Sequence, residues 1–158
     1  MPFCDFLVKE CVSIDSTAQS KTAVFLKVSQ TLHKTHPQLS VETLFAAYWK
    51  RESLGSTTIG HGILIPHIRT DLILEPSGCF IKLKNPVDFG ADDKQPIDLV
   101  VALIVPKHQH EQHLQRLHQI IEHFSHPTFR KACRNATTCD DIYDVLLTHS
   151  LETTSDPM

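Results

Sequence analysis

Ile97-Asp-Leu-Val-Val-Ala-Leu-Ile-Val-Pro106 contains the longest unbroken apolar run of the chain, Leu99 to Val105. The run is far shorter than the roughly 20 residues that cross a bilayer. It does not alternate, so both of its faces are apolar, and it reads as a strand from Ile97 to Val105 buried on both sides and stopped by Pro106. Such a strand needs a cover above and below. The flanking segments supply it, because helical spacing dominates both ends of the chain. The expected fold class is therefore α/β, a single-domain mixed β-sheet sandwiched between α-helices.

Working upstream, Gly55-Ser-Thr-Thr-Ile-Gly-His-Gly-Ile-Leu-Ile-Pro-His67 gathers three of the five glycines. Thr57–Ile59 and Gly62–Ile65 read as two short strands meeting across Gly60-His61. Pro66 holds Ile65 extended, so His67 is expected at the carboxyl end of a strand on a stiff backbone. Before this stretch, Ser20 caps a helix from Lys21 to about Lys34, and Ser40 opens a second helix running to about Ser53. Residues 1–19 show no clear period.

Downstream, residues 68–76 read as a loop, Ser77–Leu83 as a strand and Asn85-Pro86 as a turn. Asp92 to Pro96 is a polar turn into the central strand. A third helix follows Lys107-His108-Gln109-His110, with Leu114, Leu117, Ile121 and Phe124 as its apolar stripe. Thr128–Asn135 and Thr138–Leu147 read as closing helices, the latter capped by Thr138. One domain is expected over residues 1–150, with a flexible polar tail over 151–158.

Composition excludes several classes. The 158 residues are 41% hydrophobic, enough for a core, and the net charge of −3 leaves no basic footprint for nucleic acid. No basic region precedes an apolar stretch at the N-terminus, so no secretory signal is expected. Five cysteines without a Cys-x-x-Cys pair suggest free thiols of a reducing cytoplasm rather than disulfides or zinc. Nucleotide-binding, esterase and zinc-protease motifs are absent. The unusual feature is 11 histidines.

Three side chains could carry chemistry. His67 can take a phosphoryl group without a cofactor, because imidazole is nucleophilic at neutral pH. The bland alternative is a half-buried histidine that happens to end a strand. Arg51, at the end of the second helix, could fork onto phosphate oxygens, although a helix-end arginine is more often a solvated charge. His113 flanks the apolar face of the third helix and could assist a phosphate or orient His67; its bland reading is a surface histidine. Thr58 and the backbone around Gly60 and Gly62 could form a nest for phosphate oxygens. A metal site from His108, His110 and His113 is a remote alternative, since no carboxylate or thiol accompanies them at ligand spacing except Glu111, which is expected to point elsewhere.

These residues also carry a resemblance. Arg51-Glu-Ser-Leu-Gly-Ser-Thr-Thr-Ile-Gly-His-Gly-Ile-Leu-Ile-Pro-His67, Asp93-Lys-Gln-Pro-Ile-Asp-Leu-Val-Val-Ala-Leu-Ile-Val-Pro106 and His113-Leu-Gln-Arg-Leu117 resemble, in order and spacing, the fructose–mannitol class of IIA components. These belong to the bacterial phosphoenolpyruvate-dependent phosphotransferase system. The likeness spans roughly residues 20–148 and is strongest to the nitrogen-regulatory branch. It implies that His67 accepts a phosphoryl group on Nε2 from the phosphocarrier HPr or its nitrogen-branch relative NPr. His113 would be the second active-site histidine and Arg51 the phosphate-holding arginine. No metal or organic cofactor and no membrane insertion are implied, and the location would be cytoplasmic. The partners would be regulated proteins such as potassium transporters or sensor kinases; in the alternative, a sugar-uptake IIA, the partner would be a IIB component. The free-standing length and the lack of a fused IIB-like segment favour the regulator. Two departures stand out. His61 replaces the common Asn of the regulatory branch, and Ile68-Arg69 replaces its Gly-Lys.

Overall fold

The computed structural model describes residues 6–155, with side chains through Thr148. A single 3-10 turn at Lys9–Cys11 leads into strand β1, Val12–Asp15. Helix α1 spans Lys21–Thr35, with Ser20 Oγ accepting from the Ala23 amide at 3.1 Å. Helix α2 spans Val41–Leu54, with Ser40 Oγ accepting from the Thr43 amide at 3.1 Å. Both serines satisfy an amide that the first helical turn leaves unpaired. Strands β2 (Thr58–Gly60), β3 (Ile63–Leu64), β4 (His67–Thr70), β5 (Ser77–Val87) and β6 (Ile97–Pro106) follow. Helices α3 (His110–Phe124), α4 (Pro127–Asn135) and α5 (Cys139–Ser155) close the chain. Thr138 Oγ1 caps α5 by accepting from the Asp141 amide at 3.1 Å.

The sheet is mixed, as expected, in the order β1-β5-β6-β3-β2, with β4 also pairing β6. β6 is antiparallel to β5 and parallel to β3 and β4. Every residue of β6 except Asp98 is buried, which requires helices on both faces. Phe25 of α1 stacks on Tyr48 of α2, and Phe124 of α3 stacks on Phe80 of β5 and packs against Phe129 of α4. Cys11, Cys79, Cys133 and Cys139 are free thiols.

The structure corrects several expectations. Val12–Asp15 forms an edge strand that pairs in parallel with Phe80–Leu83, so its register comes from distant partners rather than from local pattern. Residues 68–70 are strand, not loop, and His67 opens β4 rather than ending a strand. The offset that pairs Ile63 with Leu99 and Leu64 with Val100 also pairs His67 with Leu103 and Thr70 with Pro106. β3 and β4 are thus one run beside β6, interrupted at Ile65-Pro66. Pro66 has no amide to donate, yet its carbonyl accepts from the Leu103 amide at 2.9 Å and the register carries through.

Asn85-Pro86 is not a turn. It lies within β5, where the pairing with β6 shifts between Lys82 and Val87. That irregular stretch is where a residue lacking an N–H fits. On α3 the buried residues are His113, Ile120, His123 and Phe124, while Leu114 and Ile121 stay exposed. The helix is turned from the expected stripe because two imidazoles occupy core-facing positions. Helix α5 continues past Leu147 to Ser155; the rest of the expected tail, residues 156–158, and residues 1–5 lie outside the described residues.

Tyr48 ties α2 to the central strand. Its hydroxyl donates to the Leu103 carbonyl at 2.6 Å, both groups being buried. Tyr48→Phe removes this bond and takes a donor from the buried Leu103 carbonyl, and should lower stability by about 1–3 kcal/mol in urea unfolding.

Candidate functional site

Helix α2 ends at a fixed point. Arg51, in its last turn, donates from Nη1 to the Gly55 carbonyl at 2.9 Å. The next residue, Glu52, accepts through Oε1 from the Thr57 amide at 3.1 Å and the Thr57 hydroxyl at 2.7 Å. These bonds set the chain's path from helix to sheet and hold the arginine at the sheet edge.

His67 sits half-buried at the start of β4. Its Nδ1 lies 2.9 Å from the Ile65 carbonyl, a contact that needs the proton on Nδ1. Burial lowers its proton affinity, and the Arg51 and Arg69 charges act in the same direction against the Ile65 hydrogen bond and the Glu52 charge. A neutral ring protonated on Nδ1 carries its lone pair on Nε2, which is the nucleophilic arrangement.

His113 occupies the first turn of α3, only 4% exposed, and its ring centroid is 5.3 Å from that of His67 at a 50° tilt. Burial, then the neighbouring His67 and the Arg69 charge, push its pKa down to about 4. Its Nδ1 is buried without a hydrogen-bond partner.

Both rings face a cavity of about 740 Å³. Lys50, Arg51, Arg69 and Lys107 line it, and among the described residues no Asp or Glu does. Asp71 stands behind one of these cations, 3.7 Å from Lys107 Nζ. Leu54, Leu114 and Leu117 form an apolar shoulder. A pocket of this charge favours an anion, and its apolar shoulder suits contact with a protein surface.

The structure therefore brings His67, His113 and Arg51 together. Thr58, Gly60 and Gly62 are not among the residues lining the cavity. Thr58 Oγ1 pairs with Ser56 Oγ at 2.8 Å. The Gly60-His61-Gly62 turn faces another group of side chains. The His61 amide donates to Asp93 Oδ2 at 2.8 Å, and its carbonyl accepts from Arg134. Arg134 grips Asp98 with two bonds of 2.8 and 2.9 Å. Gly62 has φ +80°, and a Cβ there would come within 2.7 Å of the Arg134 guanidinium and 2.9 Å of Asp98. These glycines serve close packing of a hairpin against β6 and α4. His61 itself takes φ +58°, a conformation that Asn adopts more readily than most residues.

Sequence reasoning named His110 only as a remote metal ligand and Arg69 only as a departure from the family's Gly-Lys, and it missed Lys50 and Lys107. The signal for Arg69 was its place two residues after His67. Reading 68–76 as a loop discarded the strand alternation that puts both on one face. His108, His110 and His113 do not converge: His110 contacts Arg69 and His113 faces His67. Among the described residues no group of three or more His, Cys, Asp or Glu could hold a metal ion, and no helix is long and apolar enough to cross a membrane.

Over residues 5–149 the chain matches the family described as "Phosphoenolpyruvate-dependent sugar phosphotransferase system, EIIA 2", and it belongs to that family. It is 34% identical to the nitrogen regulatory protein of Pseudomonas aeruginosa over 128 residues, which cover 81% of this chain and 83% of that one. The nitrogen regulatory protein of Escherichia coli is 34% identical over 143 residues, covering 89% and 86%. The crystal structure of nitrogen regulatory protein IIA-Ntr from Neisseria meningitidis superposes with a TM-score of 0.82 at 28% identity, covering 88% of this chain and 94% of that one.

The two depressed imidazoles make stability pH-dependent. An unfolded histidine takes up a proton near pH 6.5, whereas folded His113 resists it down to about 4. Between those values the unfolded chain binds more protons, so stability is full above about 6.5 and is lost as pH falls towards 4. Urea midpoints measured across this range should fall less steeply for His113→Phe than for the unsubstituted chain.

Proposed function

We propose that His67 is the phospho-acceptor of this IIA protein. It takes its phosphoryl group from a phosphohistidine on a small carrier, HPr or NPr. The phosphorylation state then regulates partner proteins. The observation that carries this reading is the Nδ1–H bond to the Ile65 carbonyl, which leaves Nε2 as the nucleophile beside a cationic cavity.

The transfer is an in-line exchange between imidazoles. The P–N bond to the carrier breaks as the bond to His67 Nε2 forms, and the carrier nitrogen keeps the electron pair. The proton stays on His67 Nδ1, which keeps donating to the Ile65 carbonyl. Chemistry of this kind rests on positioning and charge stabilisation. Arg51 steadies the equatorial oxygens, and His113 supplies a neutral imidazole N–H to the same group without competing as a cation. Thr58, Gly60 and Gly62 contribute by holding the hairpin rather than by touching phosphate.

Phosphorylation brings roughly two negative charges into the cavity. That reverses the local charge and so changes which protein surface fits over it. The likeness to nitrogen regulatory proteins favours targets such as potassium transporters or sensor kinases over a sugar-transporting IIB partner. A cytoplasmic location follows from this role.

The test is transfer of labelled phosphate from phosphoenolpyruvate through purified enzyme I and each carrier, with and without a IIB acceptor. His67→Ala should take no label. His113→Ala should be labelled at the same site but about 10- to 100-fold more slowly, and Arg51→Gln should be slowed by a similar factor. Full labelling of the His67 variant would remove the proposal.

A further inference from the structure

Arg69 has no role in the reading so far, yet its placement is specific. It follows His67 by two positions on β4, so the pleat points both side chains to the same face, while Ile68 between them is buried. Both line the cavity, Arg51 reaching it from the end of α2 and Arg69 from the strand. Arg69 Nη1 lies 2.9 Å from His110 Nδ1. A guanidinium only donates, so His110 must accept, which fixes its ring as neutral with the proton on Nε2. The pair involves no carboxylate, and the arginine keeps its full positive charge. That charge already opposes protonation of both His67 and His113.

We infer that Arg69 is a second phosphoryl-binding guanidinium, parked on His110 in the empty site and transferred to the phosphoryl oxygens once His67 is charged. The inference rests on His67 being the acceptor. A neutral imidazole is a modest acceptor and a phosphoryl dianion a strong one, so the exchange runs towards the anion. No proton moves: Arg69 gives up one acceptor for another, and His110 keeps its Nε2–H. With Arg51 on one side and Arg69 on the other, the equatorial oxygens meet two forked donors. In this scheme His110 is a positioning residue that keeps Arg69 inside the cavity rather than in solvent. Arg69 also stands where the regulatory branch commonly has Lys. A guanidinium can bridge two oxygens at once, so the arginine should hold the group more firmly than an ammonium would.

The test compares the unsubstituted chain with Arg69→Gln, Arg69→Lys, His110→Ala and the double variant, each confirmed folded by its urea midpoint. Labelling by the phosphorylated carrier is followed to separate kcat from KM. Each protein is also charged with phosphoramidate, and the ³¹P resonance that disappears in His67→Ala is titrated with pH. Arg69→Gln should lower kcat about 10- to 100-fold with little change in KM, and Arg69→Lys should recover part of it. The phosphoryl resonance should titrate at higher pH in Arg69→Gln than in the unsubstituted chain, because a neighbouring cation stabilises the dianion. His110→Ala should lower kcat several-fold alone and not at all in the Arg69→Gln background. An unchanged kcat and an unchanged ³¹P titration in Arg69→Gln overturn this inference and leave His67 as acceptor. If His67→Ala is labelled as fully as the unsubstituted chain, the acceptor reading falls and this inference falls with it.

Discussion

The site depends on a single run of chain keeping register with β6 across a proline. Pro66 interrupts the ladder because it has no amide, but its carbonyl still takes the Leu103 amide at 2.9 Å. The residue before it is confined to extended backbone. The Ile65 carbonyl is therefore fixed in direction, and His67 two residues on meets it through Nδ1. The tautomer of the His67 ring is decided by this backbone geometry. A glycine in place of the proline would leave the same hydrogen bond available but not enforced.

The surroundings of the two imidazoles serve two ends. Burial and nearby guanidinium charges lower the proton affinity of each ring. In the proposed transfer the same guanidinium charges draw in the phosphoryl group that His67 takes. A carboxylate at the rim would help to orient the ring but would raise its proton affinity and repel phosphate. The cavity lining holds none, and Glu52, the nearest carboxylate in its effect on His67, is turned to the Thr57 amide and hydroxyl.

Away from the cavity, the glycine hairpin is held by charge and close packing. Arg134 of α4 joins Asp98 of β6 to the His61 carbonyl, and Lys82 of β5 donates to the Arg134 and Ala136 carbonyls at 2.6 Å each. The end of α4 and the β2–β3 turn are thus bound to adjacent strands. Gly62 is required because any side chain would strike that ion pair. A glycine-rich stretch before a histidine reads as a phosphate cradle, whereas the contacts of Gly62 and His61 in the structure are with Arg134, Asp98 and Asp93.

What the sequence determined by itself is what local chemistry dictates: serine and threonine caps at α1, α2 and α5, the apolar central strand, and His67, His113 and Arg51 as the residues of interest. These follow from hydrogen-bonding side chains, from apolar run length and from the reactivity of imidazole. The tertiary structure decided what depends on distant partners. β1 is a strand because β5 lies beside it, and β4 is a strand because β6 carries its register past a proline. α3 turns His113 inward because the ring finds a place beside His67, where a count of apolar side chains had favoured Leu114. Arg69 and His110 are 41 positions apart. Their meeting is a property of the fold, since no spacing rule relates a strand residue to the first turn of a helix that far along the chain.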